Sequence, residues 1–292
     1  MKALLTLCRP LNCLMAAAAS MLGSWLTIHQ LDVLEVWVAS LVVAFVTAGG
    51  NELNDLCDIQ ADRINHPDRP LVTGSVSKSH AVGLLSLCWG IASLIGACFL
   101  DGVTAALVLV AMLLLALYSA ILSRLPLIGN VVIGVLAAMS IFCGFAVVSD
   151  REQIGESDLL FLAAGLAFFV HLSRECIKSA EDIEGDRVQG RNTVATIFGR
   201  NATVLFSVPI LLLGVSLSCE FVHLTWEGGA LYLSLIYIPA VVISCLIIWQ
   251  LLRGAEMNLR LASLGLKIYL AYGLILILLM DFAQVPVYVV LP

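Results

Sequence analysis

Residues 58–64 read "DIQADRI" and residues 182–188 read "DIEGDRV", near-copies of one acidic heptapeptide. They stand in a chain of 292 residues that is 61% hydrophobic and 12% charged, with a mean hydropathy of +1.02. That composition lies outside the range of soluble globular domains and belongs to a protein embedded in a bilayer. A charged side chain at the centre of a membrane span costs about 2.5 to 3.5 kcal/mol. A carboxylate pattern written twice into such a chain therefore needs both a location and a source of compensating charge.

The location follows from the apolar segments around it. A helical span needs about 20 mostly apolar residues, and about nine such stretches are present, at roughly 11–29, 35–56, 80–99, 103–122, 128–148, 158–178, 202–219, 229–251 and 265–290. The last carries Pro286, where a break is expected. These stretches use up nearly the whole chain and predict an all-α, polytopic membrane protein of one domain, 1–292, with no soluble domain. The opening "MKALLTLCRPLNCLMAAAAS" has the basic start of a signal peptide. Its apolar run before Arg9 and Pro10 is too short for one, and the run beyond continues to about Ile28, so a retained first span is expected.

Charge sets the orientation. With the N-terminus inside, fourteen of the fifteen Lys and Arg residues fall on the inner side, and Arg151 alone falls outside. This is the positive-inside pattern; it predicts a cell-membrane protein with a cytoplasmic N-terminus. The net charge of −6 then says nothing of an acidic or basic partner, and no nucleic acid is expected. The nine cysteines show no CxxC spacing, lie mainly inside the spans and read as small packing residues.

The heptapeptides are 124 residues apart and separated by four spans. An even number of crossings returns the chain to the same face, so both lie at inner helix ends and can share a site. At about 100° per residue, Asn51, Asp55, Asp58 and Asp62 fall along one stripe of a helix, with Asn54 adjoining Asp58. Glu175, Lys178, Asp182 and Asp186 form a similar stripe. Solvated loop acids would explain one such run. Two facing stripes with DxxxD spacing are expected to neutralise one another only by holding cations between them. Their hard oxygen donors suit Mg²⁺, which binds through one or two carboxylates plus substrate phosphates.

Basic residues interleave these acids: Arg63, Arg69 and Lys78 after the first stripe, and Lys178, Arg187 and Arg191 in and after the second. Forked cationic donors beside acids suggest a metal-bound polyphosphate, although Arg187, Arg253 and Arg260 read better as snorkelling residues at the interface. Arg69, between prolines in "HPDRPL", has the stiffest placement and is the first candidate for a diphosphate contact, with Lys78 and Lys178 beside it. The loops at about 63–79 and 187–201 directly follow the stripes and are expected to cap the site, with Gly74, Gly190 and Gly199 at turns. Small residues at 16–20 and 132–140 either pack helices closely or leave room for a ligand's tail.

"NDLCDIQAD" fits the NDxxDxxxD motif, and "DIEGD" the DxxxD motif, of the UbiA-type intramembrane prenyltransferases, which the chain resembles over essentially its whole length. Within that family it is most similar to archaeal enzymes of ether-lipid synthesis, through "RPLNCLMA", "NDLCDIQADRINHPDRPLVTGSVS", "LPLIGN" and "RECIKSAEDIEGDRVQGRNTVATIFG". Two positions depart from the subfamily pattern: an acid usually stands where Ser179 is, and a basic residue where His66 is.

The resemblance implies about nine helices around a central cavity, and two Mg²⁺ ions held by the carboxylates on the diphosphate of an isoprenyl donor. Asn54, Asp55, Asp58 and Asp62 would serve one ion and Asp182 and Asp186 the other, with Glu175 a weaker ligand and Asp55 a support from behind. Asp58, Asp62, Asp182 and Asp186 would carry catalysis. It also implies a lipid-like glycerol phosphate acceptor, geranylgeranylglyceryl phosphate, alkylated by geranylgeranyl diphosphate among membrane lipids. Asn12 and Arg124 are candidates for the acceptor's phosphate, and Tyr118 for the flank of the allylic cation. The competing readings are a prenyltransferase acting on an aromatic acid such as 4-hydroxybenzoate or a naphthoate and, from another class, a divalent-cation transporter, which would prefer midplane acids and broken helices.

Overall fold

The computed structural model describes residues 2–149, 158–225, 229–252 and 258–284, and the described residues are helical with no strand. In chain order the helices are α1 (Lys2–Cys8), α2 (Pro10–Ile28), α3 (Leu34–Cys57), α4 (Ile59–Asn65), α5 (Pro70–Thr73), α6 (Lys78–Phe99) and α7 (Gly102–Ala120). They continue with α8 (Ile128–Ala146), α9 (Asp158–Glu181), α10 (Ile183–Val188), α11 (Val194–Phe198), α12 (Arg200–Thr225), α13 (Gly229–Leu252) and α14 (Leu259–Gln284). Among the described residues nine helices are long and apolar enough to cross a membrane: α2, α3, α6, α7, α8, α9, α12, α13 and α14. The expected spans are all present, and the break expected at Pro286 lies outside the described residues.

The order of elements repeats. A span is followed by a 24-residue span, two short helices and two more spans: α2 to α7, then α8 to α13, with α14 completing the bundle. Equivalent elements of the two halves pack on each other, α2 against α8 and α4 against α10. The α2–α8 crossing is made at backbone distance. A Cβ on Gly23 would collide with the Ile141 carbonyl, and one on Gly144 with the Ser20 carbonyl, while Ser24 Oγ donates to the Gly144 carbonyl at 2.8 Å. Close approach through small residues is the main source of helix association in lipid, where burying apolar surface drives little.

α9 lies at the centre, packed against α8, α12 and α14, with Ala163, Ala167, Val170, Ile177 and Ala180 buried on it. Its apolar cluster extends through Leu26, Ile141, Leu211, Ile236 and Leu266. A smaller cluster joins Val42, Val43 and Val46 to Ala92 and Val108. Outward, Leu87 and Leu94 on α6 and Ile268 and Ile275 on α14 are exposed one heptad apart, the stripe that meets lipid. The far ends of α2 and α14 are tied by Trp25 Nε1, which donates to Asp281 Oδ2 at 2.8 Å and so satisfies a buried carboxylate.

Three spans extend clearly further than sequence alone indicates, among them α12, which runs to Thr225 rather than about 219. α14 begins at Leu259 rather than near 265, so Lys267 sits two turns inside the helix, and α9 runs to Glu181, one turn past Lys178. Neither acidic stripe is one continuous helix. α3 ends at Cys57 and α9 at Glu181, and the next residue in each case, Asp58 (φ −101°, ψ 6°) and Asp182 (φ −86°, ψ 5°), leaves the helical region before a short helix resumes. The same position of the duplicated heptapeptide makes the same bend twice, and the second aspartate of each copy, Asp62 or Asp186, is buried.

The α2–α8 crossing yields a stability prediction. Gly144→Val should lower the thermal unfolding midpoint in detergent by several degrees, because overpacking of this kind costs about 1–3 kcal/mol or more. Gly83→Val, where a Cβ meets open space, should change it little.

Candidate active site

The two bends meet through α4 and α10. Asn65 Nδ2 donates to the Asp182 carbonyl at 2.9 Å, and the Gly185 amide donates to Asn65 Oδ1 at 3.0 Å. A Cβ on Gly185 would run into Asn65 Nδ2 and come within 2.7 Å of the Ala61 carbonyl, so only glycine lets the helices approach this closely. Both residues lie within or directly beside the duplicated heptapeptides, but nothing in their spacing reveals that they touch.

The charge compensation differs from the expectation that the stripes are neutralised only by bound cations. Arginines sit on four of the five aspartates, and a histidine on the fifth. Arg9 pairs with Asp55, and Arg69 pairs with Asp55 at 3.1 Å and with Asp62 at 2.5 Å. Arg191 pairs with Asp58 and lies 3.5 Å from Asp186, and His66 Nε2 meets Asp182 Oδ1 at 3.0 Å. Asn54 Nδ2 donates to Asp58 Oδ2 at 3.0 Å. Every aspartate nominated from sequence thus has a partner. Each cation comes from a connection rather than a span: Arg9 from the α1–α2 junction in the left-handed region (φ 52°), His66 and Arg69 from the loop after α4, and Arg191 from the loop after α10. Gly74, Gly190 and Gly199 take positive φ, as expected of turns.

Electrostatics follow this pairing. Burial opposes ionisation of Asp182, but the His66 bond and the Lys178 and Arg69 charges hold its carboxyl below the ordinary value. Burial raises Asp62 against the pull of Arg69. Burial also pushes Asp186 up to about 6, against the attraction of Arg191, with Asp182 adding to the rise. Arg69 and Arg191 lose solvation on burial, yet their carboxylates raise them further, so both stay charged.

Below this charged layer lies a cavity of about 600 Å³, within the usual size of a small-molecule site. Arg9, His66 and Arg69 line its mouth, with Asn12, Asn54, Tyr118, Glu175 and Lys178. Its depth is apolar, walled by Met15, Val46, Leu115, Leu136, Val170 and Leu274. Ala16, Ala19, Ala137 and Ser140 also face it, so the small-residue stretches at 16–20 and 132–140 leave room as well as pack.

Of the residues nominated as metal ligands, Asn54 and Glu175 line the cavity, while Asp55, Asp58, Asp62, Asp182 and Asp186 do not line it and are paired with cationic side chains or His66. Lys78 is exposed at the start of α6 and Arg124 is exposed in the turn before α8, and neither lines the cavity. Arg187 pairs with Glu184 at 3.3 Å and Arg260 with Glu181 at 3.1 Å, as surface residues do, while Arg253 lies outside the described residues. His66 sits directly on Asp182, and Ser179 Oγ is buried without a partner among the described residues. Sequence reasoning missed Arg9, His171, Arg174 and Lys267, which also line the cavity. For His171, Arg174 and Lys267 the available signal was an ionisable residue within a span, which is functional by default; Arg9, at the junction before α2, gave no such signal.

Among the described residues no three His, Cys, Asp or Glu side chains converge into a preformed cation cage. The donor chemistry still fits a hard divalent cation. Mg²⁺ demands only one or two carboxylates, takes its other ligands from phosphate and water, and here would find several carboxylates on two adjoining bends.

The UbiA prenyltransferase family model matches residues 13–270, and the chain belongs to that family. It is 31% identical over 254 residues to the digeranylgeranylglyceryl phosphate synthase of Methanospirillum hungatei, covering 87% of this chain and 86% of that one. Its fold matches a solved structure described in connection with digeranylgeranylglyceryl phosphate synthase, with a TM-score of 0.67, 24% identity and 97% and 99% coverage of the two chains. It also matches a UbiA homologue from Archaeoglobus fulgidus bound to GPP and Mg²⁺, with a TM-score of 0.63, 20% identity and 94% and 99% coverage.

The Asp186 environment predicts a pH-dependent effect on stability. A carboxyl raised from about 3.8 to about 6 binds its proton more tightly when folded. The penalty for burying its charge is therefore absent below the unfolded value and complete above about 6. In chelator, thermal unfolding of Asp186→Asn should match the parent near pH 4 and gain on it progressively up to pH 7. A gap independent of pH would contradict this assignment.

Proposed function

We propose that the protein transfers a geranylgeranyl group from geranylgeranyl diphosphate to the free hydroxyl of geranylgeranylglyceryl phosphate, with Mg²⁺, at the cytoplasmic face of the cell membrane. The observation that carries this reading is the junction of the two acidic bends, rimmed by arginines, above an apolar cavity of about 600 Å³. A metal-bound diphosphate suits the rim, and an isoprenoid tail suits the cavity. The family membership, the name of the Methanospirillum relative and the GPP and Mg²⁺ in the Archaeoglobus neighbour support it.

Asp58 and Asp62, with Asn54, would hold one Mg²⁺, and Asp182 and Asp186 a second, with Asp55 anchoring Arg9 and Arg69 behind them. When bound, Mg²⁺ supplies Lewis-acid stabilisation of the departing diphosphate. Arg69, Arg9 and Lys178 stand at the cavity mouth, where negative charge grows as the C–O bond breaks; preorganised cations stabilise that charge without reorganisation. Arg69 and Arg191 already carry acidic partners, so a diphosphate arriving with cations would exchange one set of counter-ions for another rather than bury new charge. The apolar walls exclude water from the allylic cation while the acceptor hydroxyl attacks carbon 1. Tyr118 faces the same cavity and offers its ring to that cation.

The test is incubation of the protein in nanodiscs with radiolabelled geranylgeranyl diphosphate, offering geranylgeranylglyceryl phosphate and 4-hydroxybenzoate in parallel, with and without EDTA. Label should pass to the glycerol phosphate, and only with Mg²⁺. Asp58→Ala and Asp182→Ala should each lower turnover by about 10²–10³-fold or more while leaving the protein folded. Transfer to the aromatic acid alone would overturn the acceptor assignment.

A further inference from the structure

Five Lys and Arg side chains line the cavity: Arg9, Arg69, Arg174, Lys178 and Lys267. The first two are committed to aspartates, Arg9 to Asp55 and Arg69 to Asp55 and Asp62. Both glutamates that line the cavity are also engaged, Glu175 by Arg174 at 2.7 Å and Glu181 by Arg260 at 3.1 Å. Lys267 Nζ is left to donate to a neutral group, Asn12 Oδ1, at 3.0 Å. Arg174 Nε is buried with no partner among the described residues, although a guanidinium has five donors to place. Three spans thus converge on a site with surplus positive charge and unused donors, apart from the arginines that serve the aspartates. An unpaired charge within a span is expensive unless a ligand completes it.

One turn deeper on α9, His171 also faces the cavity. Its Nδ1 lies 2.9 Å from the Ala167 carbonyl. A carbonyl only accepts, so Nδ1 carries a hydrogen, and in the neutral form of the ring that tautomer leaves Nε2 free to accept a proton. Residues three apart on a helix are neighbours, about 5–6 Å between Cβ atoms. Glycerol carries its free hydroxyl within a carbon or two of its phosphate ester, a span of the same order.

We propose that Arg174, Lys267 and Asn12 form a second anion subsite that holds the phosphate of the acceptor, and that His171 Nε2 receives the proton of its hydroxyl. This rests on the reading of the acceptor as a glycerol phosphate, and it moves the phosphate contact from the exposed Arg124 to the cavity wall. In the step, the acceptor oxygen forms an ether bond to carbon 1 of the donor and the bond from carbon 1 to the diphosphate oxygen breaks. The diphosphate leaves with the electron pair, and the hydroxyl proton passes to His171. An aromatic acid without a phosphate would leave the subsite unfilled, so the same residues select against it.

The test pairs binding with kinetics in nanodiscs. Geranylgeranylglyceryl phosphate and its phosphate-free counterpart, geranylgeranylglycerol, are titrated into the donor-free protein, and KM is measured for donor and acceptor. Lys267→Met should weaken binding of the phosphate-bearing lipid roughly ten- to a hundredfold, leave the phosphate-free lipid and the donor KM unchanged, and be rescued by Lys267→Arg. Asn12→Ala should act in the same direction and answers the question if Lys267→Met fails to fold. His171→Gln should lower kcat by about 10²-fold or more without moving the acceptor KM. A raised donor KM, or equal loss for both lipids, would overturn the subsite, and an unchanged kcat in His171→Gln would overturn the base. If the parent does not distinguish the two lipids in binding yet transfers to the phosphate, the subsite fails and the proposed reaction stands. If it prefers the phosphate-bearing lipid but alkylates only the aromatic acid, the subsite stands and the proposed reaction fails.

Discussion

The charged layer depends on arginines that reach across from the loops to the two acidic bends. A carboxylate taken out of water costs several kcal/mol, and its partner repays that only with close geometry and further hydrogen bonds. Here Asp55 and Asp62 share Arg69, and Asp58 and Asp186 share Arg191. Each arginine therefore ties residues that the bends separate. Arg191 joins the first repeat to the second directly, and Asn65 does the same through backbone groups. The loops after α4 and α10 are held by this pairing to the helix ends they follow.

Duplication extends beyond the heptapeptide. Two runs of elements in the same order, each with a bend at the corresponding aspartate, place equivalent helices against one another at two levels: α2 on α8 through Gly23 and Gly144, and α4 on α10 through Gly185 and Asn65. Both junctions require a missing Cβ. The first sets the spacing of the halves in the bilayer and the second closes their acidic ends, and the cavity lies beneath that closure with α14 along one side. A shared site at one face follows from having two like units side by side, each contributing acids from the same position.

The spans, their number and their all-α character were legible in the sequence because a bilayer demands long apolar helices and few other structures. So was the pairing of the two acidic segments on one face, which needs only an even number of crossings. Less legible was what neutralises them. Arg9 is remote from both stripes in sequence, and its approach to Asp55 depends on a left-handed turn before Pro10. The straight stripe expected through Asp58 and Asp62 was wrong in shape: periodicity assumes an unbroken helix, and both acidic helices bend at the residue where that assumption mattered most.

By itself the sequence determined what the membrane and local chemistry impose: how many times the chain crosses, which ends carry acids and which motifs place it among the UbiA prenyltransferases. Tertiary structure decided which cation meets which carboxylate, which small residues pack and which leave space, and that Arg174, His171 and Lys267 look into one cavity. Hydrophobicity and helical period are properties of neighbouring residues and can be read along a line. Ion pairs between residues 9 and 55, or 191 and 58, are set by where the loops return after helices have packed, and that depends on glycines whose effect is a distance rather than a pattern.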